Sequence, residues 1–274
     1  MKKTLLICLM ALMSVAMFAQ DEENVVRLYA HRGGMGEADQ NTLTAFNAAY
    51  KAGYRGFETD IRLTMDGEFV ILHDSALEEL ANGKGNVETT KASAIKKLRV
   101  GKSKVLFLDE LLEWIAKKGD IEYFEFELKT DPSLYTDELV QQMSETLYHK
   151  IMANRPIGAT FLITSSDTRP LMFLKEKFSE ANLMLITPEP VNNTTITKVK
   201  ELGLKRMASS LNGTSREAVE KAHREGITIN LWPTNDIEDI ALAVCLGADA
   251  VCTDIPAAAK KGLKDQLKWV VIDY

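Results

Sequence analysis

Three short apolar runs in this chain end in groups that move protons or hold charge. Val25-Val26-Arg27-Leu28-Tyr29-Ala30 runs into His31-Arg32 and then Gly33-Gly34. Gly56-Phe57-Glu58-Thr59-Asp60 carries two carboxylates at alternate positions, and Phe69-Val70-Ile71-Leu72 ends in His73-Asp74. Side chains alternate faces along a strand, so Glu58 and Asp60 face the same way. Glu125-Phe126-Glu127-Leu128-Lys129 adds a further acid and a lysine, and Asn230-Leu231-Trp232-Pro233 adds an aromatic. Glu58, Asp60 and Glu127 are hard oxygen donors with no soft ligand among them. That set suits Ca²⁺ or Mg²⁺, with water and substrate oxygens completing the shell. Two histidines, an arginine and such a cation are the makings of metal-assisted hydrolysis of an anionic ester.

Groups so far apart in sequence meet only if the elements carrying them share a rim. From residue 108 the alternation is regular: helices over 109–118, 137–152, 169–178, 193–202, 215–225 and 236–246, and strands over 121–128, 159–164, 182–186, 206–210, 227–232 and 249–253. Upstream, Leu43, Phe46, Ala49 and Tyr50 recur at helical spacing, with a cap at Asn41 or Thr42 and a stop at Gly53. Strand-helix alternation at this density predicts a parallel α/β fold. About eight units predict a TIM-type (β/α)8 barrel forming one domain over residues 20–274. Nine candidate strands are one too many for that barrel. The link at Met65-Asp66-Gly67 is too short for a parallel crossover, so the 56–60 and 69–73 runs form a hairpin or the first of them continues past the rim. Residues 77–104 read as a loop with one short helix. Barrel active sites lie at the C-terminal ends of the strands. The expected mouth therefore gathers His31, Arg32, Glu58, Asp60, His73, Glu127, Lys129 and Trp232.

Composition bounds the partners. An apolar fraction of 46% and a charged fraction of 26% are those of a globular protein. The net charge is −6 with no Lys/Arg block, which argues against nucleic acid and requires that an anionic substrate be attracted locally. Lys2-Lys3 followed by the apolar Thr4–Phe18 reads as a signal peptide over 1–19, too short to span a bilayer. An exported, periplasmic or extracellular protein without stable membrane insertion is expected. Cys245 and Cys252 read as two buried free thiols rather than a disulfide, and two cysteines seven apart with no nearby His do not make a zinc site. His149 and His223 fall on outer helices. The tail 268–274 is a last strand or a docking segment.

Taken in order, these blocks resemble the glycerophosphodiester phosphodiesterase family. AHRGG at 30–34, NTLTAF at 41–46, FETDIRLTMDGEFVILHD at 57–74, NGKG at 82–85, FELK at 126–129, LWPTN at 231–235 and CTDIP at 252–256 carry the likeness across nearly all the chain beyond the leader. The resemblance implies hydrolysis of glycerophosphodiesters to an alcohol and sn-glycerol 3-phosphate. It makes His31 and His73 the acid/base pair, Glu58, Asp60 and Glu127 the holders of a divalent cation, Arg32 and Lys129 the phosphate ligands, and Trp232 a wall of the pocket. The competing readings are a phospholipase C- or D-like lyase on the same barrel and a non-catalytic phosphodiester-binding protein. Three positions depart from the family pattern. Gln40 stands where a Glu is usual, with Glu37 a nearby acid that would compensate; Ser75 stands for a Pro, and Ser165-Ser166 for a Ser-Phe pair.

Overall fold

A computed structural model describes residues 25–264 and 267–274, so the expected signal peptide lies outside the described residues. Eight parallel strands close a ring: β1 (Val25–Ala30), β2 (Gly56–Leu63), β3 (Tyr123–Leu128), β4 (Thr160–Ser165), β5 (Leu183–Pro190), β6 (Arg206–Ser210), β7 (Thr228–Thr234) and β8 (Ala250–Thr253). Each neighbour in sequence is a neighbour in the sheet, and β8 returns to β1 with Arg27 beside Ala250. Helices α1 (Leu43–Lys51), α2 (Leu108–Lys118), α3 (Asp137–Ala153), α4 (Thr168–Lys177), α5 (Asn193–Glu201), α6 (Arg216–Arg224), α7 (Ile237–Leu246) and α8 (Pro256–Leu263) separate the strands. The (β/α)8 expectation is met, with boundaries mostly within two residues.

Strand alternation sorts the core into two layers. On β3, Phe124, Phe126 and Leu128 pack outward into the large core shared with the helices, while Tyr123 joins an inner cluster with Tyr29, Leu162, Met184, Ala208, Ala250 and Cys252. The inward positions of β3 thus read Tyr123, Glu125, Glu127 from floor to mouth. On β2 the inward positions are Glu58, Asp60 and Arg62, and the register sets Glu58 beside Glu125 and Asp60 beside Glu127.

The ninth strand resolves as both alternatives at once. β2 pairs with β3 as far as Ile61, runs on past the rim, and turns back antiparallel into Phe69–Ile71, with Ile61 opposite Ile71 and Leu63 opposite Phe69. The excursion over residues 64–107 is more ordered than a loop with one helix. It holds short helices at Leu77–Leu80 and Ala92–Ile95, a small hairpin of Arg99–Val100 with Ser103–Lys104, and its own core around Leu72, Leu77, Val87, Ile95 and Phe107. The tail forms a strand, Val271–Asp273, parallel to β1. Because β1 meets β2 only at Ala30 and Phe57, this strand closes the lower gap between them, with Tyr274 O accepting from Arg55 N at 2.7 Å. Cys245 and Cys252 are both free, yet only Cys252 is buried; Cys245 faces outward on α7.

Glu125 lies in the barrel interior, 2% exposed. Its carboxylate accepts from the Tyr123 hydroxyl and from Asn230 Nδ2, the latter at 2.8 Å. Burial raises its pKa to about 7, against the pull of those donors. A folded-state pKa above the unfolded value of about 4.5 stabilises the fold most below that value and loses the contribution as pH rises through 7. The difference is on the order of 3 kcal/mol. Chemical denaturation at pH 5 and pH 8 should therefore show a steeper loss of stability in the wild type than in Glu125→Gln. Equal losses would contradict the assignment.

Candidate active site

β1 ends where the backbone must turn sharply. His31–Gly33 forms one turn of 3₁₀ helix, and Arg32 adopts φ 50°, a left-handed conformation rare outside glycine. Gly33 is required beside it: a Cβ there would lie 2.9 Å from Ala45 Cβ and from the Phe46 backbone, where α1 crosses. The turn sends His31 and Arg32 into the mouth together. Arg32 N donates to Glu58 Oε2 at 3.0 Å, Arg32 Nε pairs with Asp60 Oδ2 at 3.2 Å, and Arg32 Nη1 donates to Gln40 Oε1 at 2.8 Å.

Glu58 and Asp60 are both nearly fully buried. Lys129, just past β3, sits 3.1 Å from Asp60 Oδ1 and 2.6 Å from Glu127 Oε1. Burial alone would raise the Asp60 pKa, but Lys129 and Arg32 hold it well below the usual carboxylate range. Glu58 goes the other way: burial, reinforced by Asp60 and Glu127, pushes its pKa well up. Its Oε1 is buried with no hydrogen-bond partner among the described residues. Glu58, Asp60 and Glu127 each present an oxygen within 4.8 Å of the others. That span suits oxygen ligands about 2.3–2.6 Å from a shared Ca²⁺. Three hard donors, with Glu58 Oε1 and Asp60 Oδ1 both buried without a hydrogen-bond partner among the described residues, fit a divalent cation.

The histidines arrive by different routes. His31 Nδ1 is 2.5 Å from Asp254 Oδ1, which follows β8, and His31 Nε2 is 3.9 Å from Glu58 Oε2. His73 does not end a barrel strand as expected; the excursion carries it back over the mouth. It is anchored through its carbonyl, which accepts from Arg62 Nε at 2.9 Å. Arg62 Nη1 in turn donates to Glu88 Oε1 at 2.7 Å. Ser75 Oγ donates to Glu88 Oε2 at 2.6 Å, so the departure from proline adds a tie to the same acid. His73 Nδ1 lies 2.8 Å from Asp74 Oδ1, and burial lowers its pKa. A carboxylate on each Nδ1 accepts its proton, which leaves Nε2 as the atom that takes a proton when the ring is neutral and gives one when it is protonated.

All of His31, Arg32, Glu58, His73, Glu127, Lys129 and Trp232 line one cavity of about 240 Å³, together with Ser166. Asp60 lies behind Lys129 as part of the same cluster. Trp232 precedes a cis peptide to Pro233, and its indole N–H has no partner among the described residues. Larger surface concavities, around Phe107 and Lys150 and around Arg169 and Phe173, are lined by no histidine. His149 and His223 lie on α3 and α6, away from the mouth.

Sequence reasoning missed several positioning groups. Asp254 stands in the CTDIP block, and an acid directly after the last strand was its signal. Thr42, not Asn41, caps α1; Asn41, at φ 57°, instead donates to Asp60 Oδ2 at 2.7 Å and accepts from Thr59 Oγ1 at 2.8 Å. Glu37 does not compensate for Gln40, because its carboxylate accepts from Ala257 N and Ala258 N at the start of α8.

A parallel barrel with paired acids that form a candidate cation site, two oriented histidines and two fixed cations at its C-terminal mouth fits a hydrolase of anionic esters. Residues 31–258 match the model of the glycerophosphoryl diester phosphodiesterase family, and the chain belongs to that family. It is accordingly a phosphoric diester hydrolase acting on glycerophosphodiesters. Among curated relatives, a glycerophosphodiester phosphodiesterase of Bacillus altitudinis is 24% identical over 89% of this chain and 100% of its own length. One from Caldanaerobacter subterraneus subsp. tengcongensis is 26% identical over 83% of this chain and 93% of its own. Among solved structures, an Oleispira antarctica phosphodiesterase in complex with the product sn-glycerol-3-phosphate superposes with TM-score 0.79 at 21% identity, covering 87% of this chain and 97% of that one. A glycerophosphodiester phosphodiesterase of Parabacteroides distasonis gives 0.74 at 20% identity, covering 90% and 99%.

Asp254 gives the site a direct test. In Asp254→Asn the Nδ1 partner can present an N–H, which disfavours the orientation His31 now holds. Turnover should fall, by no more than the roughly 10²–10⁴ that complete loss of general acid–base catalysis costs, with KM little changed. An unaltered turnover would show that Asp254 does not position His31.

Proposed function

We propose that the protein hydrolyses glycerophosphodiesters to an alcohol and sn-glycerol 3-phosphate, with Glu58, Asp60 and Glu127 holding Ca²⁺ or Mg²⁺ and His31 and His73 moving the protons. The observation that carries this reading is the cavity that both histidines, Arg32 and Lys129 line together beside the acid cluster. A phosphodiester carries one negative charge that repels an attacking oxygen. When bound, the cation would supply Lewis-acid neutralisation of that charge. Arg32 and Lys129 bind phosphate oxygens and offset the further charge that develops at the transition state. One histidine, through its free Nε2, takes the proton of the attacking oxygen, and the other protonates the departing alkoxide. Burial keeps His73 neutral at pH 7 and able to accept a proton. Trp232 lines the cavity and offers its ring to the glycerol or alcohol part, with the small Ser166 lining the same cavity. The basic-then-apolar leader supports an exported location, and the domain is read as running from residue 20 to 274.

The proton carriers separate by leaving group. His31→Ala and His73→Ala should each lose roughly 10²–10⁴ in turnover on a natural diester such as glycerophosphocholine. On a nitrophenyl diester, whose leaving group needs no proton, the variant lacking the acid should recover most of its rate, and the variant lacking the base should not. Equal recovery by both, or no loss in either, would contradict the paired mechanism.

A further inference from the structure

The cavity contains a polarisable group that the proposed mechanism leaves idle. Cys252 on β8 is free, 6% exposed, and lines the cavity beside His31 and Glu58. One donor atom from each of Cys252, His31 and Glu58 lies within 4.8 Å of the other two. A tetrahedral ion with sulfur at about 2.3 Å and nitrogen and oxygen at about 2.0–2.1 Å spaces its ligands by roughly 3.3–3.7 Å. His31 Nε2 and Glu58 Oε2, at 3.9 Å, already stand near that spacing, and the sulfur needs to close by about 1 Å at most.

Two further features aim the set inward. Asp254 holds His31 by Nδ1, which is the support a metal-bound histidine receives on its other nitrogen. Glu58 Oε1 is buried and without a partner among the described residues. A thiolate, an imidazole and a carboxylate select borderline and thiophilic ions over Ca²⁺ and Mg²⁺, and the cavity side leaves a fourth position open.

We propose that His31, Glu58 and Cys252 form a second cation site, selective for ions such as Zn²⁺ or Cd²⁺, that shares Glu58 with the hard-cation site. On binding, the thiol gives its proton to solvent and a metal–sulfur bond forms. No electron transfer is involved. Occupation engages the His31 Nε2 lone pair and withdraws Glu58 from the acid triad, so the ion inhibits hydrolysis. That inhibition rests on the functional reading above; the binding of the ion does not.

Titration of the metal-stripped protein with Co²⁺ tests the site without reference to activity. The wild type and Cys245→Ser should develop a near-ultraviolet thiolate-to-Co²⁺ charge-transfer band that saturates at one equivalent, and Cys252→Ser should lack it. His31→Ala, which keeps the thiol, should bind at least tenfold more weakly. No band in the wild type, or a band that persists in Cys252→Ser, overturns the proposal. In parallel, Zn²⁺ should inhibit cation-supported hydrolysis at least tenfold less effectively in Cys252→Ser; equal inhibition overturns the inhibitory role. Absence of any hydrolysis with the band intact would refute the functional reading and leave the ion site standing.

Discussion

Three carboxylates converging in one barrel mouth repel one another, and burial strengthens that repulsion. At an effective dielectric of about 20, two like charges about 4 Å apart cost roughly 4 kcal/mol. Arg32 and Lys129 are the permanent cations among these acids, and both are themselves largely buried. They form ion pairs with Asp60 and, through Lys129, with Glu127. Glu58 is left with a backbone N–H on one oxygen and nothing on the other. Two positive side chains cannot neutralise three ionised acids, so Glu58 is pushed toward its protonated form; a divalent cation would let it ionise and would leave the cluster positive toward an anionic ester.

Much of the surrounding structure serves that cluster. The β2–β3 register puts the acids in ranks, Glu58 beside Glu125 and Asp60 beside Glu127. The left-handed turn at Arg32 brings its amide and guanidinium to two different acids at once. Asn41, also left-handed, links Thr59 to Asp60. The excursion after β2 has its own small core, which lets it carry His73 on a firm support over the mouth. Positioning of this kind keeps the histidines and cations fixed before substrate arrives, which is where such sites gain rate.

The barrel was legible because strand and helix periodicities alternate without interruption after residue 108, and the inward acids were legible because they recur at period two beside outward Phe and Leu. What the sequence hid was long-range pairing. Asp254 is a rim residue whose partner lies 223 positions away; its place directly after the last strand marks it as an acid at the mouth but does not say which group it holds. Asn41 and Thr42 both qualified as the cap of α1; Thr42 serves that end, and the charge of Asp60 claims the Asn41 amide. His73 was placed on a barrel strand because its apolar run resembles one, whereas the short preceding turn forces it antiparallel. Cys252 read as packing because no histidine is near it in sequence; closing β8 against β1 brings it to His31.

The central claim is that the buried Glu58 carboxylate calls for a bound divalent cation. The melting temperature measured in chelator and in saturating Ca²⁺ or Mg²⁺, for the wild type and Glu58→Gln, tests it most directly. A cation at about a hundredfold its Kd adds roughly 2.7 kcal/mol to the folded state, so the wild type should melt several degrees higher when loaded. Glu58→Gln should melt above the wild type in chelator, because the wild type must either protonate this buried carboxyl or leave its charge uncompensated, and should gain little from either ion. A wild type indifferent to both cations, or a variant that responds as strongly as the wild type, would contradict the account.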